Sequence, residues 1–365
     1  MAKRLADVAE RPVLTTRPPP WHAPLADLSP AYFGLVMATG IVSLGAGMMG
    51  HPLVARGLLW LNFGQYALLW LLYGARAVLY PQRFFQDLID HLRGPGFFTT
   101  VAASGILASQ AVVQLDYLPL GVGLWALALL LWLVLTYSIF TAFTVKQEKP
   151  PLDKGINGAW LLAVVATQSL AVSSCLLADR IGQPLRLELN LLALSMWLWG
   201  GMLYIWMMSL IFYRYTFFRF APGDLAPPYW INMGAMAIST LAGSLLIQNA
   251  PHAPYLAELL PFLKGFTLFY WATGTWWIPM LLVLGIWRHV YRRFPLQYDP
   301  LYWGAVFPLG MYAACTWQLD KAMAFGFLRS VPLAFWWVAL TAWGLTFFGM
   351  LRRISHALRG KSWTA

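Results

Sequence analysis

Four pairs of hydroxyl side chains stand one helical turn apart in this chain: Thr39 and Ser43, Thr100 and Ser104, Ser169 and Ser173, and Thr240 and Ser244. At i, i+4 both members of a pair share one helix face. Each pair therefore offers two neutral dipoles that can help solvate an ion without carrying a charge. Asn232, and backbone N–H groups near Gly40 and other helix weak points, add donors of the same kind. Such donors, in the positive field of basic loops, favour anions over cations. Any one such hydroxyl more often bonds back to its own helix or holds two helices together. Four pairs in four alternate segments support the stronger reading, a shared polar lining.

The same segments lack the groups that other chemistries need. No Asp or Glu falls inside a long apolar run, and the six His residues lie in loops, tails or run ends. Proton relays, acidic rings for cations and intramembrane catalytic constellations all depend on such side chains. No enzyme activity, cofactor or metal is expected. An integral-membrane enzyme would have to draw on loop residues such as Asp87, Asp90 and His91, which read better as the solvated face of an interfacial helix.

One bulky residue stands where a path could be closed. In Gly304-Ala305-Val306-Phe307-Pro308, the proline cannot donate to the carbonyl of Gly304 and its ring pushes against it, so the helix should bend there. Phe307 then projects at the bend. On a small-residue face it can occlude a narrow path, or it can simply pack in the core; the sequence leaves both open.

These residues need elements to hold them. Of 365 residues, 59% are apolar and 11% charged, against roughly 25% charged in a soluble domain. Apolar runs predict ten membrane-spanning helices near residues 31–50, 57–80, 94–113, 119–144, 157–178, 187–213, 228–249, 262–290, 300–318 and 331–351. With the N-terminus inside, 19 of the 25 Lys and Arg fall on the cytoplasmic side and 6 on the other. That asymmetry predicts both termini in the cytoplasm and accounts for most of the +11 charge, leaving no reason to invoke nucleic acid. Residues 1–30 read as a basic, mostly disordered cytoplasmic tail without a cleaved signal, 31–351 as the transport domain, and 352–365 as a second short basic tail.

The spans are of two kinds. Leu and Trp make up 17 of 103 residues in the odd spans and 47 of 127 in the even ones. Bulky apolar surface suits lipid, while small and hydroxyl residues suit close-packed interior helices. The odd helices are expected inside, around a central path, with the even helices outside.

Tyr32-Phe33-Gly34-Leu35-Val36-Met37-Ala38-Thr39-Gly40-Ile41 resembles the first span of the tellurite-resistance/dicarboxylate transporter family, which includes slow-type anion channels, malate permeases and sulfite exporters. Trp303 through Gly310 resembles that family's ninth span, and Phe84 to Phe98 and Pro228 to Gly234 are also similar. The resemblance implies an all-α fold of ten helices as five hairpins in quasi-fivefold arrangement, with odd helices lining a pore. It further implies a homotrimer in the lipid bilayer and a small anion or C4-dicarboxylate as substrate. Phe307 would plug the pore, hinged at Gly304 and Pro308. Short tails argue against the terminal regulation of the plant channels and for a bacterial inner-membrane member. The runner-up reading is a proton-coupled C4-dicarboxylate or sulfite carrier.

Overall fold

The computed structural model describes residues 23–296 and 298–358, and every regular element among them is helical. The basic residues Lys3, Arg4, Arg11, Arg17, Arg359 and Lys361, used above for orientation, lie outside the described residues. Ten long helices dominate: α1 (Gly34–Met48), α2 (Pro52–Leu79), α3 (Phe98–Val113), α4 (Leu118–Val145), α5 (Leu162–Arg180), α6 (Leu185–Phe217), α7 (Ile231–Asn249), α8 (Leu260–Ile286), α9 (Trp303–Met323) and α10 (Ser330–Leu358).

Eight of them are long and apolar enough to cross a membrane. The other two are α2, whose hydropathy is diluted by Arg56, Asn62, Gln65 and Arg76, and α9, whose hydropathy is diluted by Gln318, Asp320 and Lys321. At 1.5 Å per residue, the 28 residues of α2 and 21 of α9 extend about 42 and 32 Å, comparable to a ~30 Å hydrocarbon layer.

The helices alternate in length and in burial. The odd helices are buried almost throughout, whereas the even ones bury one face and expose the other. Trp60, Leu71, Leu130, Val134, Leu282, Val283, Leu345 and Phe348 all lie on that exposed face. The Leu and Trp excess of the even spans is therefore surface. An apolar face this extensive is stable against lipid and not against water.

The packing order follows the chain. Helix α1 packs on α3, α3 on α5, α5 on α7, α7 on α9, and α9 back on α1. Each even helix lies against the odd helix before it and also touches the odd helix after it, α10 returning to α1.

Every odd helix begins with one tight 3-10 turn: Pro30–Phe33, Gly94–Phe97, Gly158–Leu161, Pro227–Trp230 and Pro300–Tyr302. Proline occupies the first or second position of four of them, where its fixed φ suits a helix start and its missing N–H leaves nothing unpaired. Ser29, Asn157 and Asp299 cap three of the turns, each accepting from the backbone N–H two residues on. The turns also touch in order and close into a collar, the fifth meeting the first. Close approach within it depends on Gly158, where a Cβ would stand 2.5 Å from the carbonyl oxygen of Pro228.

Residues 23–30, read above as tail, are built into this end. A short helix spans Ala23–Ala26, the Ala26 carbonyl accepts from Arg76 Nε at 3.1 Å, and Asp27 pairs with Arg83 at 3.0 Å. Arg76 is 1% exposed and holds Asp87 at 2.5 Å, so it is a buried ion-pair residue. The last helix likewise continues past residue 351 to Leu358.

Candidate functional site

Two cavities lie on the axis of the five odd helices. The inner one, about 70 Å³, is lined by all five: Ile41, Leu44 and Met48 from α1, Gly105, Ile106 and Ser109 from α3, Ser169 and Val172 from α5, Ile238 and Leu241 from α7, and Phe307, Met311 and Gln318 from α9. The second, about 30 Å³, lies inside the collar, among Ala31, Gly34, Met37, Thr99, Ala159, Leu162, Pro228, Ile231, Leu301 and Gly304. Among the described residues Phe307 alone lines both, and it is 3% exposed. Its ring borders both spaces.

The position of Phe307 follows from its neighbours. Pro308 sits inside α9 without an N–H to give, and its ring fills a notch left by Gly234 of α7. One turn back, Gly304 borders the collar cavity. One turn on, Gly310 lets α9 meet α1, since a Cβ there would stand 2.9 Å from Ile41. Thus α9 is held closely on both sides of the phenylalanine.

The collar cavity receives the N-terminal ends of all five odd helices. Backbone N–H groups and helix dipoles at such ends carry partial positive charge, and five of them converge here. Among the described residues no carboxylate lines either cavity. In the inner one the polar side chains are Ser109, Ser169 and Gln318. Ser109 and Ser169 donate to their own helix carbonyls at 2.9 and 2.7 Å, and Gln318 accepts from Gln248 Nε2 at 3.0 Å.

Of the residues singled out by sequence, Ser169 and Phe307 line the inner cavity, and Gly304 and Phe307 the outer. Most of the others lie elsewhere. Thr39 accepts from Trp343 Nε1 of α10 at 3.0 Å, Ser43 donates to the Ala55 carbonyl at 2.7 Å, and Ser104 meets Tyr66 Oη of α2 at 2.7 Å. These three hydroxyls join inner helices to outer ones. Gly40 faces Asn62 and Ile106, and Asn232 donates to Tyr215 Oη at 3.1 Å. Thr100 donates to the Phe97 carbonyl of the turn before α3, and Ser173, Thr240 and Ser244 bond back within their own helices.

Sequence reasoning missed Ser109 and Gln318, which stand outside the i, i+4 pairs. It also missed a buried amide network: Asn62 Nδ2 donates to Gln110 Oε1 at 2.7 Å, Gln110 Nε2 to Gln114 Oε1 at 3.1 Å, and Gln114 Nε2 to the Ser43 carbonyl at 3.2 Å.

The loop residues considered for catalysis have structural partners. Asp87 pairs with Arg76 and Arg93, Asp90 accepts from the N–H groups of Leu92 and Arg93, and His91 stacks on Phe143 at 4.2 Å. Burial, then the Lys146 ammonium, pushes His91 below its ordinary pKa. Among the described residues, no group of three or more His, Cys, Asp or Glu converges to hold a metal.

Helices this apolar, wrapped two deep around an uncharged constriction, make a multi-pass membrane protein of the channel or transporter class. The chain belongs to the voltage-dependent anion channel family, whose model matches residues 27–351. It is 39% identical over 156 residues, 43% of this chain and 79% of the other, to an uncharacterized membrane protein of Mycobacterium tuberculosis. An uncharacterized transporter of Methanocaldococcus jannaschii is 23% identical, with 87% of this chain and 90% of that protein covered. A sulfite efflux pump of Arthroderma otae is also 23% identical, over 88% of this chain and 91% of the pump. The family placement agrees with the resemblance read from Tyr32 to Ile41 and Trp303 to Gly310.

Proposed function

We propose that the ten long helices cross the membrane as five hairpins in quasi-fivefold arrangement, and that the odd helices enclose a path for small anions closed by Phe307. The observation that carries this reading is the place of Phe307 on the border of both axial cavities. Convergent helix N-termini in the collar favour negative charge at the entrance, and an uncharged wall lets an anion pass without binding it strongly. Gly304 and Pro308 give α9 the local freedom to move the ring aside.

The lining follows the cavity: Ser109, Ser169 and Gln318 contact the anion. Thr39, Ser43 and Ser104 join helices, while Thr100, Ser173, Thr240 and Ser244 satisfy their own backbones. The basic residues near the collar favour a cytoplasmic position for that end and for both termini, in the inner membrane of a bacterial cell. Assembly as a homotrimer follows the family resemblance.

Transport is passive or weakly coupled, because among the described residues no buried carboxylate lines the path to carry a proton. The name of the sulfite efflux pump favours sulfite among candidate anions, with a coupled sulfite or C4-dicarboxylate carrier as the second reading. Flux of chloride, nitrate, sulfite and malate into proteoliposomes, with and without an imposed potential, separates the two. Passive conduction follows the potential and survives an uncoupler. Uptake that collapses with the uncoupler favours the carrier, and flux of cations rather than anions contradicts both.

A further inference from the structure

A cavity of about 160 Å³ lies behind the collar, between the end of α8 and the turns that open α7 and α9. It is larger than either axial cavity, and among the described residues no acidic side chain lines it. Its cation is Arg288, which lies in a π-helical turn, Trp287–Tyr291, a distortion often found at functional sites. Arg288 Nη1 donates to the Leu225 carbonyl, and the guanidinium stands 4.3 Å from the Phe294 ring centroid. Nε is buried and has no hydrogen-bond partner. A buried guanidinium nitrogen left unpaired is costly, and an oxyanion would satisfy it.

The other walls indicate where that oxyanion comes from. Leu281 and Gly285 of α8 line the cavity, and their neighbours Leu282, Val283 and Ile286 are exposed on the apolar outer face. Trp230 and Tyr302 bring aromatic rings to the same level, the residues that favour a membrane–water boundary. The cavity thus adjoins the apolar outer face and holds a cation near the helix ends.

We infer that this cavity binds a phosphate group, that of an anionic phospholipid headgroup, at Arg288. The orientation proposed above serves only to name the leaflet, the cytoplasmic one. Tyr302 lies in the turn that opens α9, and Tyr229 and Trp230 in the turn that opens α7. The opposite sides of the same turns, Pro228 and Leu301, line the collar cavity below Phe307. An occupied headgroup site therefore bears on the segment that carries the gate.

The test is binding, so that it stands whether or not the protein conducts. Purified protein is titrated with phosphatidylglycerol or phosphatidylcholine, and retained lipid is read by native mass spectrometry; inorganic phosphate is tested by thermal shift and by competition. Wild type should prefer phosphatidylglycerol about tenfold, because phosphatidylcholine offers the same phosphate but joins it to a quaternary ammonium that the Arg288 guanidinium repels. Arg288→Gln and Gly285→Leu should each abolish the preference. Gly285 has open space where its Cβ would stand, so the larger side chain fills the cavity and leaves Arg288 with its Leu225 bond. This variant carries the test if Arg288→Gln fails to fold. Protection by inorganic phosphate alone, with no preference between the lipids, supports the oxyanion site and overturns its lipid source. Retention of the wild-type preference in both variants, or no response to either phosphate source, overturns the inference.

Discussion

The ring of Pro308 lies against the bare Cα of Gly234, where a Cβ would stand 2.6 Å from the proline Cγ. The contact ties the bend in α9 to the neighbouring helix, and with it the position of Phe307. Gly234→Ala should force the ring away and cost about 1–3 kcal/mol, the usual penalty of overpacking. Gly158→Ala should cost more, because the atom its Cβ meets is backbone and cannot turn aside. Thermal unfolding of the solubilised protein reads both. Unchanged melting of Gly158→Ala would contradict the close packing of the collar.

The polar residues divide into lining and joints, and the two groups should behave differently. Gln318→Leu and Ser169→Ala are expected to shift relative anion permeability with little change in stability. Thr39→Val and Ser104→Ala should lower stability by about 0.5–1.5 kcal/mol each, through lost bonds to Trp343 and Tyr66, and leave selectivity alone. Flux ratios across an anion panel, measured beside melting curves, distinguish them. The opposite pattern would return the pore wall to the hydroxyl pairs.

Why those hydroxyls were legible but not their direction has a physical explanation. A four-residue spacing states that Thr39 and Ser43 share a face; it does not state whether that face meets the axis or the next helix. Here it meets α10 and α2. The alternation of helix types was legible because it rests on bulk composition, which lipid exposure dictates directly. Phe307 was legible through Pro308, whose backbone effect is local. The collar was not, since five turns of three or four residues with proline or glycine at the start are individually too short to stand out. Ser109 and Gln318 were hidden for a related reason, each being a single polar residue on an otherwise apolar surface.

Arg76 is buried beside Asp87, which makes the pair more consequential than an exposed one. Asp87→Ala should leave an uncompensated charge and cost about 3–5 kcal/mol. Adding Arg76→Met should restore much of the loss. Chemical or thermal denaturation checks this, and a single variant as stable as the wild type would show that the charge finds water.

His91 gives a pH dependence of defined sign. Its folded-state pKa is lowered by burial and by Lys146, so the unfolded chain binds the proton more readily. The stabilising effect of the neutral ring is complete above the unfolded value, about 6.5, and declines as pH falls below it. Melting temperatures of wild type and His91→Gln should converge in their pH dependence above neutrality and diverge in acid, with the wild type losing more. Parallel curves would contradict it.

The central claim is the closure of one axial path by one ring. In proteoliposomes under an imposed potential, Phe307→Ala should join the two cavities and raise anion flux at least about tenfold, equivalent to lowering the barrier by about 1.4 kcal/mol. Flux equal to or below that of wild type, from a variant with unchanged melting behaviour, would contradict it.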